Sequence, residues 1–238
     1  MIKLAISGCQ GRMGQLISDL ASKNKNFEIF ALIESPLCKD VPESSYGVKI
    51  SKDINAVKGA DVLIDFTLPE PTMKSLEACL KHNVRMVIGT TGLSDDERLA
   101  IQKASQKIAI VQSTNMSVGV NVVFGLLKTM AASLKGYDVA ITETHHIHKK
   151  DAPSGTAKTM AEVIGEVRGK KVTDISSVRE GEVVGYHKVT FDSPVDTIEI
   201  SHNAKNRGMF AEGAIIAAGF LAKKKNGFYN MQQVLGLV

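Results

Sequence analysis

The sequence predicts an α/β protein in which a parallel sheet with helical crossovers is followed by a second, α+β domain built on a mixed sheet. Over the first half of the 238 residues, short β-branched segments alternate with helical patterns, and a glycine-rich turn follows the first segment. Repeated β-α-β order is typical of a parallel sheet with right-handed crossovers. Between residues 176 and 201, strand-like segments follow one another without intervening helices, which indicates a mixed or antiparallel sheet.

The first domain is predicted from strands that are separated by helices. The opening strand, residues 2–7, leads into a helix in which apolar residues such as Ile17 and Leu20 have helical spacing. Ser94 and Glu97 form a capping box that predicts the start of a later helix. The other predicted elements are strands at 27–34, 61–67, 84–89 and 107–112 and a helix at about 71–81. The strand at 61–67 is nearly all apolar, as expected when both faces are buried.

The second domain is predicted to begin near residue 117 without a flexible linker, because the β-α-β pattern stops there. Helices are predicted at 118–134 and at 154–168, and Gly169 ends the second of them. Strands are predicted at 137–146 and between 176 and 201. A final helix is predicted at about 210–224, before a short tail.

Composition argues against nucleic acid as a partner. The formal net charge is +4, aromatic residues make up only 5% of the chain, and there is no tryptophan. A nucleic-acid-binding surface usually combines a broad basic stripe with aromatic residues. Here the basic residues cluster locally, at 145–150 and 223–225. A small acidic substrate explains such a cluster better than a polyanion does.

Cysteine use and hydropathy predict a cytoplasmic protein. Cys9, Cys38 and Cys79 have neither disulfide nor metal-ligand spacing, which fits a reducing compartment. The N-terminus reads directly as a strand rather than as a signal peptide. No apolar run approaches the roughly 18 residues of a membrane-spanning helix, so no contact with a membrane is expected.

The glycine-rich turn predicts a dinucleotide site of the Rossmann type. Gly8, Gly11 and Gly14 stand between a strand and a helix, where glycine permits a tight turn and a close approach of pyrophosphate to the helix N-terminus. Glu34 ends the second strand, at the position where a carboxylate accepts hydrogen bonds from the adenine ribose. Taken singly, the glycines could be ordinary turn residues and Glu34 a solvated strand end, but their combination favours the dinucleotide.

Cofactor preference depends on the same region. A carboxylate at Glu34 repels the 2′-phosphate of NADP, and Ser35 follows it where an arginine would attract that phosphate. Arg12 and Lys39 are nearby candidates for compensation. We therefore expect NADH and/or NADPH, with NADH preferred.

Two further loops follow predicted strands and are expected to reach the same crevice. They are Gly89–Gly92 and Ser113–Met116. Ligands of open α/β sheets bind outside the carboxyl ends of the strands. Taken alone, each loop is better explained as an ordinary turn.

The segment from Glu143 to Thr156 is the second candidate site. It has three histidines and two lysines within residues 145–150, and three interpretations compete. A metal site is disfavoured because nothing nearby supplies a third or fourth ligand at zinc-like spacing. A solvated strand end is the second interpretation. The favoured one is a site for proton transfer and anion binding, since histidine titrates near neutral pH and lysine binds carboxylates.

Strand geometry sets a condition on that interpretation. In an extended strand His145 and Lys149 would be about 13 Å apart, so the chain must turn near His146 for both to reach one small molecule. The helix predicted to begin at Ser154 then offers the free N–H groups of its first turn, with the Thr156 hydroxyl, to a second anionic group. A basic loop followed by a helix N-terminus suits a dicarboxylate.

Taken together, these motifs resemble the 4-hydroxy-tetrahydrodipicolinate reductase (dihydrodipicolinate reductase) family over nearly the whole chain. The most specific stretch reads Glu-x-His-His-x-x-Lys-x-Asp-Ala-Pro-Ser-Gly-Thr-Ala from Glu143. The other matching motifs are Gly8–Gly14, Asp65-Phe66-Thr67, Gly89–Gly92, Ser117–Asn121, Val184-Gly185-x-His187, Arg207 with Phe210-Ala211-x-Gly213-Ala214, and Tyr229-x-Met231.

The resemblance implies that NAD(P)H reduces 4-hydroxy-tetrahydrodipicolinate, with loss of water, to tetrahydrodipicolinate in lysine and diaminopimelate biosynthesis. It implies His145 as the acid/base residue and Lys149 as its partner proton donor, with substrate contacts from His146, Gly155 and Thr156. The implied cofactor residues are Gly8, Cys9, Gln10, Gly11, Arg12, Met13, Glu34, Gly89, Thr90, Thr91, Ser113, Thr114, Asn115 and Met116. From the ligand spacing considered above, no metal ligand is expected.

The resemblance also implies the domain limits and the assembly. The last helix of the family returns to the Rossmann domain, which implies a cofactor domain of residues 1–117 plus 207–238 and a substrate and oligomerisation domain of residues 118–206. Members are commonly homotetramers. The chain departs from the family at Met116, where an aromatic residue is common, at Phe220, where tryptophan is frequent, and at Ser35, where arginine often helps to hold NADP.

Overall fold

The computed structural model describes residues 1–238 and divides them into two compact units. The first unit comprises residues 1–116, 210–236 and 238, and the second comprises residues 117–209 and 237. Each unit has its own sheet and core, and the predicted α/β class with one mostly parallel and one mixed sheet is confirmed. None of the helices combines the length and the apolar character needed to cross a membrane.

The first unit is built on an eight-stranded sheet with the order β12-β7-β6-β5-β1-β2-β4-β3. All neighbouring strands are parallel except the β3–β4 hairpin. Its strands are β1 (Ile2–Ser7), β2 (Phe27–Ile33), β3 (Ser44–Ser45), β4 (Val48–Ser51), β5 (Val62–Asp65), β6 (Arg85–Ile88), β7 (Ala109–Gln112) and β12 (Gly227–Tyr229). The strand order reverses at β1, and such a switch point is where open α/β sheets bind ligands.

Helices cover both faces of this sheet. One core cluster includes Ile17 and Leu221, and the other includes Leu76 and Ile101. The predicted capping box at Ser94 is present. The helices of this unit are α1 (Arg12–Ser22), α2 (Pro69–His82), α3 (Asp95–Ala104), α6 (Gly208–Leu221), which enters the unit at residue 210, and α7 (Met231–Val234), with a 3₁₀ turn at Ile54–Val57.

The helix predicted at about 210–224 is present as α6, but the prediction that only a short tail follows it was wrong. Helix α6 ends at Leu221, and Gly227–Tyr229 form a strand parallel to β7. A three-residue strand carries too little alternation to be detected, because its pairing with the sheet edge decides its conformation. The β3–β4 hairpin was also missed, since its turn places Tyr46 and Gly47 at positive φ, where Asn-Gly is the usual sequence.

The second unit is a four-stranded mixed sheet packed against two helices. Its order is β11-β10-β8-β9, with β8 and β9 parallel and the other pairs antiparallel. The core includes Leu127, Ile164 and Phe191. Its elements are α4 (Val118–Ser133), β8 (Asp138–His145), α5 (Gly155–Arg168), β9 (Ile175–Arg179), β10 (Gly185–Asp192) and β11 (Thr197–Ala204).

The close approach of α1 to the turn after β1 leads to a first prediction. A Cβ atom at Gly14 would lie 2.1 Å from the carbonyl oxygen of Gly8 and 2.7 Å from Cys9 Cα, both backbone atoms. Gly14→Ala should therefore lower the free energy of unfolding by about 1–3 kcal/mol, measured by urea denaturation. Gly219→Ala is the control in the same unit, because its Cβ would meet only Phe27 at 3.8 Å. Equal stabilities of the two variants would contradict this packing.

Candidate active site

The glycine-rich turn leaves the N-terminus of α1 open. Gly8 has a φ of +66°, and its carbonyl accepts a hydrogen bond of 3.0 Å from the Gly11 N–H. Gly11 is the N-cap of α1, no side chain caps the helix, and no acidic residue stands in its first turn. The first N–H groups of α1 and the positive end of its dipole are therefore suited to an anion such as a pyrophosphate.

Glu34 is fixed beside this turn by backbone hydrogen bonds. One carboxylate oxygen accepts from the Gln10 N–H and the other from the Ser35 N–H, both at 2.8 Å. The acidic group at the end of β2 thus supports the glycine-rich turn directly. The neighbouring Cys9 is buried, and burial is the main cause that raises the pKa of its thiol to about 11, so it remains a protonated packing residue at neutral pH.

The other predicted cofactor residues follow strands of the same parallel sheet. Gly89–Thr91 follow β6 and Ser113–Met116 follow β7, while Gly8–Met13 follow β1 and begin α1. Since parallel strands end at one edge, the sheet brings these segments and Glu34 to a common side. Gly89 is packed so closely that an added Cβ would lie 2.2 Å from the Phe66 ring.

A buried carboxylate, to which the sequence motifs assigned no role, organises this edge. Asp65 ends β5 and is completely buried. Its Oδ1 accepts hydrogen bonds from the hydroxyl groups of Thr67, Thr72 and Thr90, at 2.6, 3.0 and 3.2 Å. Asp65 therefore fixes Thr90, one of the predicted cofactor residues. An acidic residue at the end of an otherwise apolar strand was the detectable sign of this role.

The turn required after His145 is present. Strand β8 ends at His145, and the Lys149 N–H donates a 3.1 Å hydrogen bond to the carbonyl of His146. The Lys149 ammonium forms an ion pair of 2.7 Å with Asp151. The predicted residues His145, His146, Lys149, Gly155 and Thr156 thus all lie in the second unit, around the end of β8 and the start of α5.

His145 is held by a buried acid two residues earlier on the same face of β8. Its Nδ1 is hydrogen-bonded to Glu143 Oε2, and Glu143 has no exposed surface. The other oxygen of Glu143 accepts from Arg179 Nη2 at 3.0 Å and from the Ser154 N–H at 3.3 Å. Sheet register produces this grouping, since Arg179 pairs with His145 and His187 pairs with Glu143 across neighbouring strands.

Sequence reasoning missed Arg179, Ser154 and His187 as parts of this site. Arg179 and His187 are far from His145 in sequence, so only strand pairing brings them close. Ser154 was expected only as a helix start; it accepts the Ala157 N–H as N-cap and also contacts His187 Nε2 at 3.1 Å. The rings of His145 and His187 meet edge to face with centroids 5.1 Å apart.

Burial and charge act in opposite directions on these groups. Burial lowers the pKa of His145, and contact with Glu143 opposes that shift. For Glu143, burial alone would raise the pKa, but hydrogen bonds from Arg179, Ser177 and His145 outweigh it, so the pKa is lowered. Burial, with the charge of His145, lowers the pKa of His187 to about 4. At neutral pH the site therefore holds an ionised Glu143 beside His145, and a neutral His187.

The start of α5 has the features on which the predicted anion site depends. Its N-cap is Ser154, its first turn has no acidic residue, and Gly155 and Thr156 are its first two residues. His146, which precedes the turn, has a buried Nδ1 that no protein group contacts. A basic side chain, a helix N-terminus and an imidazole with a free nitrogen are groups that bind carboxylates.

The fold corrects the expectation that no third metal ligand lies near the histidines. Donor atoms of Glu143, His145 and His187 lie within 4.8 Å of one another, so a third ligand does exist close to the histidines. Within this group Glu143 is hydrogen-bonded to His145 Nδ1 and to Arg179, and His187 Nε2 is hydrogen-bonded to Ser154. A guanidinium 3.0 Å from the carboxylate repels a cation, so the cluster suits proton transfer better than metal binding.

Comparison with known proteins places a boundary near residue 117, as the structure does, although the second family model also covers residues 210–235, which lie in the first unit. The family model described as "Dihydrodipicolinate reductase, N-terminus" matches residues 2–116, and "Dihydrodipicolinate reductase, C-terminus" matches residues 119–235. The 4-hydroxy-tetrahydrodipicolinate reductase of Nitrosospira multiformis is 42% identical, over 99% of this chain and 98% of the relative. That of Syntrophotalea carbinolica is 39% identical over all of both chains.

Two solved structures define the likeness in three dimensions. A dipicolinate-bound dihydrodipicolinate reductase from Paenisporosarcina sp. TG-14 has a TM-score of 0.84 at 27% identity and covers 98% of each chain. Aspartate dehydrogenase from Thermotoga maritima has a TM-score of 0.55 at 16% identity, covering 96% of this chain and 99% of that one, and shares the fold alone.

The lowered pKa of His187 leads to a second prediction. Because the unfolded imidazole titrates near 6.5 and the folded one near 4, the folded state loses stability as the pH falls from 6.5 towards 4. Between pH 7 and 4.5, the free energy of unfolding of His187→Gln should therefore fall by about 2–3 kcal/mol less than that of wild type. Urea denaturation at both pH values measures this, with the exposed His148→Gln as control. Equal acid sensitivity of wild type and His187→Gln would contradict the assignment.

Proposed function

Because the chain belongs to the dihydrodipicolinate reductase family, we infer that it is a 4-hydroxy-tetrahydrodipicolinate reductase, an NAD(P)H-dependent oxidoreductase of lysine and diaminopimelate biosynthesis. One hydride and one proton enter the substrate, one water leaves, and tetrahydrodipicolinate is formed. The observation that carries this inference is that both family models and full-length relatives match the chain, each half of which contains its own polar site.

The first unit is proposed to bind the dinucleotide. The open N-terminus of α1 and the turn Gly8–Met13 suit the pyrophosphate, and Glu34 suits the adenine ribose, because each of its oxygens keeps a lone pair beyond its backbone hydrogen bond. Gly89–Thr91 and Ser113–Met116 are proposed to border the remainder of the cofactor. When bound, the nicotinamide supplies the hydride. We propose NADH as the preferred form because Glu34 repels a 2′-phosphate.

The second unit is proposed to bind the dicarboxylate and to supply the proton. Lys149, the first turn of α5 with Gly155 and Thr156, and His146 would neutralise and orient the two carboxylates. The Paenisporosarcina relative binds dipicolinate, a planar diacid of the same kind. His145 would donate the proton as negative charge develops on the substrate, with Lys149 as its partner.

We also propose that the enzyme is a cytoplasmic homotetramer assembled through the sheet of the second unit. Val178 on β9 and Ile198 on β11 are 41% and 38% exposed, and apolar side chains on strands favour burial between subunits.

A coupled assay tests the function against its rivals. The substrate is generated from pyruvate and aspartate semialdehyde by its synthase, and oxidation of NADH and NADPH is followed separately. Turnover that depends on both precursors supports the reductase. Turnover with another small acid in their place would indicate a different Rossmann dehydrogenase, and cofactor binding without any turnover would indicate a nucleotide-sensing module. Either of these results would overturn the proposal.

The proton-donor role gives a third prediction. His145→Ala should lower kcat by about a hundredfold or more, the usual contribution of a general acid, while the affinity for NADH is retained. Steady-state kinetics and cofactor titration separate the two quantities. His148→Ala is the control, because that side chain is 73% exposed and lies in the same turn. An unchanged kcat in His145→Ala would remove this residue from the reaction.

Cofactor preference gives a fourth prediction. Glu34→Gln should shift the ratio of kcat/KM for NADPH over NADH upwards by about fivefold to tenfold, because it removes a charge that repels the 2′-phosphate at a partly solvated site. Glu28→Gln, at an exposed position of β2, should leave the ratio unchanged. A ratio that does not move in Glu34→Gln would place the adenine ribose elsewhere.

A further inference from the structure

We propose that Glu143 is a positioning residue for proton transfer: it holds His145 with Nδ1–H on its carboxylate, so that Nε2 is the nitrogen that donates the proton. Through Arg179, Glu143 also fixes the turn that carries Lys149. The proposal deepens the function proposed above and rests on it for the role of His145. Glu143 acts through His145, the proton donor, and does not itself contact the substrate.

Both oxygens of the Glu143 carboxylate are hydrogen-bonded within this arrangement. It has no exposed surface, and its two oxygens face different partners. Oε2 contacts His145 Nδ1, while Oε1 accepts from Arg179 and from the Ser154 N–H. A buried carboxylate with hydrogen bonds on both oxygens cannot rotate without leaving a charge unpaired, so it fixes the ring of His145 in one orientation.

The opposite nitrogen of His145 faces a glycine. A Cβ atom at Gly185 would lie 3.0 Å from His145 Nε2 and 3.7 Å from the His187 ring. The absence of a side chain there leaves space beside Nε2, which is the nitrogen that Glu143 does not occupy. The neutral His187 ring, edge to face with His145, restrains the ring laterally without competing for its proton.

Arg179 connects Glu143 to the turn that carries Lys149. Besides its bond to Glu143, its guanidinium donates to the carbonyls of Asp151 at 2.5 Å and Lys149 at 3.3 Å. Both proposed proton donors are therefore positioned by one buried ion pair, His145 through its ring and Lys149 through its backbone.

Among the charged groups around His145, Glu143 is the one that raises the pKa of the imidazole. The ring faces Arg179 from β9, Lys149 from the turn and His187 from β10, and Asp151 is paired with Lys149. Burial and the two cations lower the pKa of His145, whereas Glu143 raises it. Loss of the Glu143 charge should therefore lower this pKa further.

The test compares Glu143→Gln, Glu143→Asp and the control Glu162→Gln, whose side chain is exposed on α5. A general acid must be protonated, so activity falls as the pH rises through the pKa of His145. In Glu143→Gln the alkaline limb of the kcat profile should move down by about one pH unit or more, with the KM for NADH unchanged. Glu143→Asp keeps the charge and should keep the limb close to that of wild type, at a lower kcat.

A merely structural role would lower kcat equally at every pH and leave the limb in place, and that result would overturn the proposal. If Glu143→Gln does not fold, the wild-type enzyme still decides the matter. With ¹⁵N-labelled histidine, the ring nitrogen shifts of neutral His145 should show the proton on Nδ1, whereas a proton on Nε2 would contradict it. His145→Gln identifies the resonance.

These spectra are recorded without substrate, so they separate the two hypotheses. Wild-type enzyme that shows the Nδ1–H tautomer but does not reduce the substrate would refute the proposed function and leave the positioning intact. Wild-type enzyme that reduces the substrate but shows the other tautomer would refute the positioning alone.

Discussion

The buried carboxylate of Glu143 is the interaction on which the second unit depends. Removal of an ionised group from water is costly unless each lone pair finds a donor, and Glu143 finds donors on β8, β9 and the start of α5. Loss of one partner from such a pair generally costs about 3–5 kcal/mol, because it leaves an uncompensated charge. The same bonds that satisfy the carboxylate therefore bring the imidazole, the lysine turn and the helix N-terminus to one place.

Asp65 has the corresponding role in the first unit. It ends the central strand β5, is completely buried, and accepts hydrogen bonds from three threonine hydroxyls. One of those threonines, Thr90, belongs to the loop after β6, so the carboxylate links adjacent loops at the edge of the sheet. In both units, a buried acid in the last residues of a strand fixes the position of residues that the proposed chemistry needs.

The likeness to aspartate dehydrogenase is a likeness of fold alone. The fold is shared with aspartate dehydrogenase at 16% identity, so the arrangement of strands does not define the substrate. We propose that the segment Glu143–Thr156 provides the groups that define the substrate: an imidazole on a buried carboxylate, a lysine in a turn and a helix that begins with Ser-Gly-Thr. A site built on a strand and a helix start holds such groups more rigidly than a long loop would.

The sequence alone determined the features that depend on local pattern. The order of the longer strands and helices, the turn at Gly8–Gly14 and the capping box at Ser94 follow from residue spacing, because nearby residues govern them. Only the tertiary structure decided the pairings between distant residues. Gly227–Tyr229 are a strand because β7 offers an edge, and Arg179 and His187 reach Glu143 because the register of β8, β9 and β10 brings them there. Such register is set by packing of the whole sheet, which no local pattern contains.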